Sequence, residues 1–161
     1  MARSTLIGWM LTAAVLAGGA ALAQEATPGG KAVQARQAHM KELAKTFGGI
    51  GAELRKEAPD KAAIAASAAS AKSLAQALPT WFPKGSGPEA GVKTAAKAEI
   101  WGDAAGFDAA ATKLQTEVGK LADVAGGGEL EAIRGQFRAT GASCNACHDK
   151  YRAPAEPKPP G

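Results

Sequence analysis

Aromatic residues are scarce in this sequence: 5% of 161 positions, with one tyrosine. β-branched residues are sparse too, while alanine is abundant, so the composition favours helix over sheet. Charge of one sign is also lacking. Leaving out Arg3, 18 basic residues face 15 acidic ones, an excess too small to point to nucleic acid. It would suit docking to an acidic redox partner, but a mixed, solvated surface is the blander and preferred account. Beyond the first two dozen residues no apolar run is long enough to span a bilayer. Cysteine is limited to two residues and methionine to three.

The apolar stretch at the start reads as a secretory leader rather than an anchor. Arg3 supplies a positive start, Leu6 to Leu16 is mostly apolar, and Ala21-Leu22-Ala23 forms a small-residue cleavage site with no positive cluster after it. Residues 1–23 are therefore expected to be a signal peptide. Removing them leaves 138 residues, which suits one domain with one core. That domain is expected over 24–152, with a disordered proline-rich tail over 153–161.

Apolar spacing predicts four helices. The first covers about Lys31 to Lys56, with a stripe of Val33, Met40, Leu43, Phe47, Ile50 and Leu54, and Pro59 closing it. The second runs from Asp60, a natural N-cap, to Leu78, with Ile64, Ala68, Ala71, Leu74, Ala75 and Leu78 inward. A long connection follows from Pro79 to Lys97. Its prolines and glycines forbid a continuous helix, and its Trp81 and Phe82 demand burial. The third helix covers about Glu99 to Ala125, with Trp101, Ala104, Phe107, Ala111, Leu114, Val118 and Leu121 inward and three glycines ending it. The fourth covers Glu129 to Arg152. It carries Leu130, Ile133, Phe137, Cys144, Cys147, His148 and Tyr151 on one face. Four such stripes leave water most simply in an all-α, antiparallel up-down-up-down four-helix bundle.

The two cysteines stand three apart and His148 follows at once, the C-x-x-C-H run of c-type haem attachment. At i, i+3 and i+4 the three side chains share one helix face. Two thiols can bond the vinyl groups along one haem edge while the imidazole reaches the iron. A zinc site would need more ligands than one further histidine provides. A thioredoxin-like pair would need a βαβ context that is missing. One haem c per chain is thus expected, covalently held by Cys144 and Cys147, with His148 as axial iron ligand. Such attachment agrees with export to the periplasm.

The chain resembles the class II c-type cytochromes, the cytochrome c′ and cytochrome c-556 group, along essentially its whole length after the leader. The resemblance is carried by R-Q-A-H-M-K at Arg36 to Lys41, A-E-I-W at Ala98 to Trp101, and G-A-S-C-N-A-C-H-D-K-Y-R at Gly141 to Arg152. It implies a four-helix bundle with the haem motif near the C-terminal end. It also implies that Arg36, Gln37 and Thr94 lie by the haem edge and Arg152 on the proximal side. Homodimers are common in the family, so a homodimer is an implied partner, beside periplasmic redox proteins.

Finer function turns on the iron face opposite His148. The resemblance places there a bulky apolar residue in gas-binding members and a methionine ligand in the c-556 type. The position four on from Arg36 is Met40. Met1 and Met10 fall in the leader, so Met40 is the only methionine after it. It lies on the buried stripe, and a thioether suits haem iron, although Met also fills cores without any ligand role. The resulting expectation is a low-spin His/Met electron carrier. The alternative is a five-coordinate, high-spin haem that binds nitric oxide or carbon monoxide. His39, about 100° round the helix from Met40, is expected to be exposed. No acid–base constellation suggests an enzyme.

Overall fold

A computed structural model of the chain describes residues 27–154. The expected leader and residues 155–161 of the expected tail lie outside the described residues. The described chain is helical, with no strand. A lone antiparallel bridge pairs Ala96 with Arg152.

Helix α1 spans Pro28–Glu53. The Thr27 hydroxyl accepts the Gly30 N–H at 3.0 Å and Pro28 occupies the first turn, so both start devices lie ahead of the expected Lys31 start. Helix α2 spans Lys61–Ala77, and the Asp60 carboxylate accepts the Ala63 N–H at 3.0 Å as the sequence leads one to expect. The connection that follows contains single 3₁₀ turns at Leu78–Trp81 and Pro88–Ala90. Trp81 is buried and Phe82 packs against the core, so this segment is folded onto the bundle.

The continuous third helix expected from Glu99 is two helices, α3 at Glu99–Gly102 and α4 at Ala104–Gly127. At Asp103 the backbone leaves helical geometry (φ −119°, ψ 58°), and its carboxylate accepts the Gly106 N–H at 3.1 Å. The break is a side-chain cap starting a new helix. It resets the register, which is why Ala104, expected inside, is exposed. Helix α4 ends at Gly128, whose φ of +75° lets its N–H reach the Val124 carbonyl at 3.2 Å. Helix α5 spans Leu130–Tyr151.

The helices meet along α1–α2, α2–α4 and α4–α5, the neighbours of an up-down-up-down bundle. Fully buried Ala68, Ala71 and Ala75 let α2 approach both partners closely. One apolar cluster gathers Ile50, Leu54, Ile64, Ala68, Leu121, Ala125 and Ile133 at one end. A second gathers Ala71, Ala75, Leu78, Trp81, Ile100, Phe107, Ala111, Leu114, Val118 and Tyr151 at the other. Each fully buried Ile or Leu contributes about 1.5–3 kcal/mol, so both ends are firmly closed. No comparable seam joins α1 to α5. Those two helices touch at Phe47 and Phe137, whose rings stack at 4.3 Å.

Candidate haem site

Over 140–148 helix α5 turns one face inward. Thr140 anchors it on α4, its Oγ1 donating toward the carbonyls of Glu117 (3.2 Å) and, within α5, Gln136 (2.9 Å), while Ser143 Oγ donates to the Thr140 carbonyl at 2.7 Å. One and two turns on from Thr140 the same face carries Cys144 and Cys147, both free thiols and both half-buried against the second apolar cluster. Burial pushes both thiols above their ordinary pKa, and Cys147 adds to the effect on Cys144. They are held as neutral S–H groups against an apolar wall.

His148 is exposed at the lip of an open cavity of about 370 Å³, which it lines with Lys97, Asp149, Arg152, Ala153 and Pro154. Partial desolvation, and then the charge of Arg152, lower its pKa, with Asp149 opposing. The neutral imidazole that binds metal is thereby favoured. Arg152 is exposed and lines the same cavity as His148.

Met40 of α1 is half-buried and packs on the same apolar cluster as the two thiols, as do Leu43, Leu74 and Phe82. His39 is exposed as expected. Its ring stacks on Trp81 at 4.9 Å, which occupies it with the connecting segment.

Arg36 is buried to 3% exposure. Its Nη1 donates to Ser86 Oγ (2.9 Å) and the Trp81 carbonyl (3.4 Å), and its Nη2 to the Ser86 carbonyl (2.8 Å) and Thr94 Oγ1 (3.0 Å). The guanidinium also lies 4.9 Å from the Phe82 ring centre and 5.9 Å from that of Trp101. Burial lowers its pKa, with Glu89 opposing. Gln37 Nε2 donates to the Lys93 carbonyl at 2.9 Å. So Arg36, Gln37 and Thr94 come together, but around the 81–94 segment, and none of them lines the His148 cavity.

These residues fit a covalently attached haem. Two neutral thiols and an imidazole share one helix, and the thiols pack on the apolar cluster that Met40 of α1 also joins. Among the described residues no cluster of three or more His, Cys, Asp or Glu could hold a metal ion directly.

The family model described as Cytochrome C′ matches residues 31–152. The chain belongs to the cytochrome c′ family. Its members bind a covalently attached haem c with iron. The chain is 40% identical over 122 residues to a cytochrome c′ of Alcaligenes xylosoxydans xylosoxydans, covering 75% of this chain and 92% of that protein. A solved cytochrome c′ described as showing ligand-controlled dimer dissociation matches with a TM-score of 0.73 and 29% identity, over 80% of this chain and 98% of that one. The nitric oxide complex of a leucine-to-isoleucine mutant of the Alcaligenes xylosoxidans protein matches with a TM-score of 0.71 and 34% identity, over 78% and 97%.

Within this cytochrome c′ bundle, sequence reasoning missed a polar clasp between α4 and α5. Glu117 is buried, yet it accepts from Lys113 Nζ (2.8 Å), Lys120 Nζ (3.3 Å) and Gln136 Nε2 (2.7 Å). Its carboxyl is pulled down to about 2, first by Lys113 and then by Gln136. A signal was present in the sequence: Glu117 has lysines at i−4 and i+3, and it adjoins the apolar stripe at Val118.

Proposed function

We propose that the chain is an exported, non-enzymatic haem c protein whose iron takes up a diatomic gas, nitric oxide or carbon monoxide, on the α1 side. Cys144 and Cys147 hold the haem, and His148 is its protein ligand. The bound group supplies an iron that can add a small ligand or exchange one electron. The observation that carries the reading is the character of the α1 wall facing the thiols. It is apolar, built from Met40 and Leu43, and the second histidine is turned onto Trp81. Such a wall offers no general acid or base for turnover, and it suits an apolar gas. Family membership and the nitric oxide complex of a solved relative point the same way.

Around that centre, Arg152 contributes positive charge on the proximal side, and Arg36, Gln37 and Thr94 order the segment at the haem edge. The periplasm is the compartment that fits this attachment chemistry. A homodimer and periplasmic redox proteins are the proposed partners. Among the described residues no helix is long and apolar enough to cross a membrane.

A second reading, a His/Met low-spin electron carrier, is favoured by one observation: Met40 packs on the same cluster as the thiols. A visible spectrum of the reduced protein with and without carbon monoxide separates the two. The gas-binding reading expects a high-spin spectrum that shifts with carbon monoxide. Sharp, split low-spin bands that ignore the gas would overturn it in favour of the carrier.

A further inference from the structure

The last four carbonyls of any α-helix lack partners inside the helix. In α5 those are the carbonyls of His148, Asp149, Lys150 and Tyr151. The first accepts the Arg152 N–H at 2.9 Å. A single residue serves the other three. Lys97 donates its backbone N–H to Tyr151 O (3.0 Å), and its Nζ to Asp149 O (3.4 Å) and Lys150 O (3.2 Å). An ammonium at a helix C-terminus is also where the helix dipole favours one.

Lys97 is itself held from both sides. The Ala153 N–H donates to Ala95 O at 2.8 Å, so 95–97 and 151–153 run as a short paired ribbon. Two residues back, Thr94 Oγ1 accepts both the Ala96 N–H (3.2 Å) and Arg36 Nη2. Gln37 fixes Lys93. Residues 93–97 therefore tie α1, one turn before Met40, to the turn of α5 that carries His148. The side chain of Lys97 lines the same cavity as His148.

We propose that Lys97 is a positioning residue for His148, fixing the last turn of α5 and with it the direction from which the imidazole meets the iron. The inference rests on His148 being the iron ligand and is independent of what occupies the opposite face.

The test compares the haem-loaded wild type with Lys97→Met and Lys97→Arg. Lys97→Met keeps the stem and the backbone bond but removes the two ammonium bonds, whereas Lys97→Arg can restore them. Amide hydrogen exchange at 148–153 should quicken about tenfold in Lys97→Met, the scale of one lost charge-assisted hydrogen bond, with 114–121 unchanged. The hyperfine-shifted proton resonances of the His148 ring in the oxidised protein should move, and Lys97→Arg should bring both readouts back. Exchange that is unchanged, or raised equally in 114–121, overturns the proposal. So does a quickened helix end with unmoved His148 resonances, because Lys97 would then only staple the chain. These resonances are readable in high-spin and low-spin iron alike, so failure of the gas-binding reading in the carbon monoxide test leaves this comparison intact.

Discussion

Phe47 of α1 and Phe137 of α5 stack with ring centres 4.3 Å apart and planes 14° from parallel. Gly51 makes room for Phe137: a Cβ there would stand 2.9 Å from Phe137 Cζ, whereas one on Gly141 would meet Phe47 Cζ at an ordinary 3.8 Å. The pair closes α1 against α5 at one level, while Met40 and the two thiols pack on the apolar cluster toward the other end of the bundle.

Phe137→Ala should therefore lower stability and loosen the site together. A core Phe→Ala change costs about 3–5 kcal/mol. Phe137 is only half-buried, so about 2 kcal/mol is expected on the same scale. Denaturant unfolding of the haem-loaded protein checks the loss, and a spectrum unchanged from wild type would show that the pair does not influence the haem site.

Arg36→Lys tests the clamp on the 81–94 segment. A lysine reaches one or two of the four acceptors now served by the guanidinium fork. Ser86, fully buried, is left short of donors. The expected cost is about 2 kcal/mol, the scale of one buried acceptor left unpaired. Limited proteolysis should cut within 82–97 sooner than in wild type. A variant as resistant as wild type would mean that the segment is held by Trp81 and Phe82 packing alone.

The two kinds of information in this chain were unequally legible. Helical stripes, the Asp60 cap and the C-x-x-C-H run are local patterns with fixed spacing, so the bundle and the thiol–imidazole face follow from residues 33–78, 107–121 and 130–151 alone. The break at Asp103 was hidden because Trp101, Ala104 and Phe107 follow one another at steps of three and read as one stripe; only the carboxylate's turn toward Gly106 reveals a new start. The partners of Arg36 lie 45 to 58 positions away in an irregular segment, where no period carries the pairing. Nothing in the local sequence marks Lys97 for the same reason, since its acceptors lie on α5, 52 to 53 positions away.

Glu117 makes stability depend on pH in a stated direction. Its folded-state carboxyl titrates at about 2, against an ordinary value of 4.5. A depressed carboxylate stabilises the fold above its unfolded pKa, and this contribution is lost as pH falls from about 4.5 toward about 2. The unfolding midpoint of wild type should drop across that window. Glu117→Gln should start lower at neutral pH, having lost the Lys113 and Lys120 pairs, and should fall less steeply. High salt should shrink the difference, since both lysines are exposed. Parallel pH profiles for the two proteins would rule out Glu117 as the titrating group.

Met40→Ala bears directly on the two readings of the α1 face. If the thioether only screens the iron, truncation leaves the high-spin spectrum of the reduced protein as it was and speeds carbon monoxide binding, because the half-buried side chain no longer fills the approach. If the thioether is a ligand, the same change converts low-spin to high-spin iron and creates carbon monoxide binding where there was none. The gas-binding reading expects the first result: an unchanged spin state with a faster association rate, measured by flash photolysis. A second variant, Met40→Leu, restores bulk without sulfur. It should return the association rate toward wild type if size alone governs access, whereas it should behave like Met40→Ala if the sulfur–iron bond is what wild type had to lose.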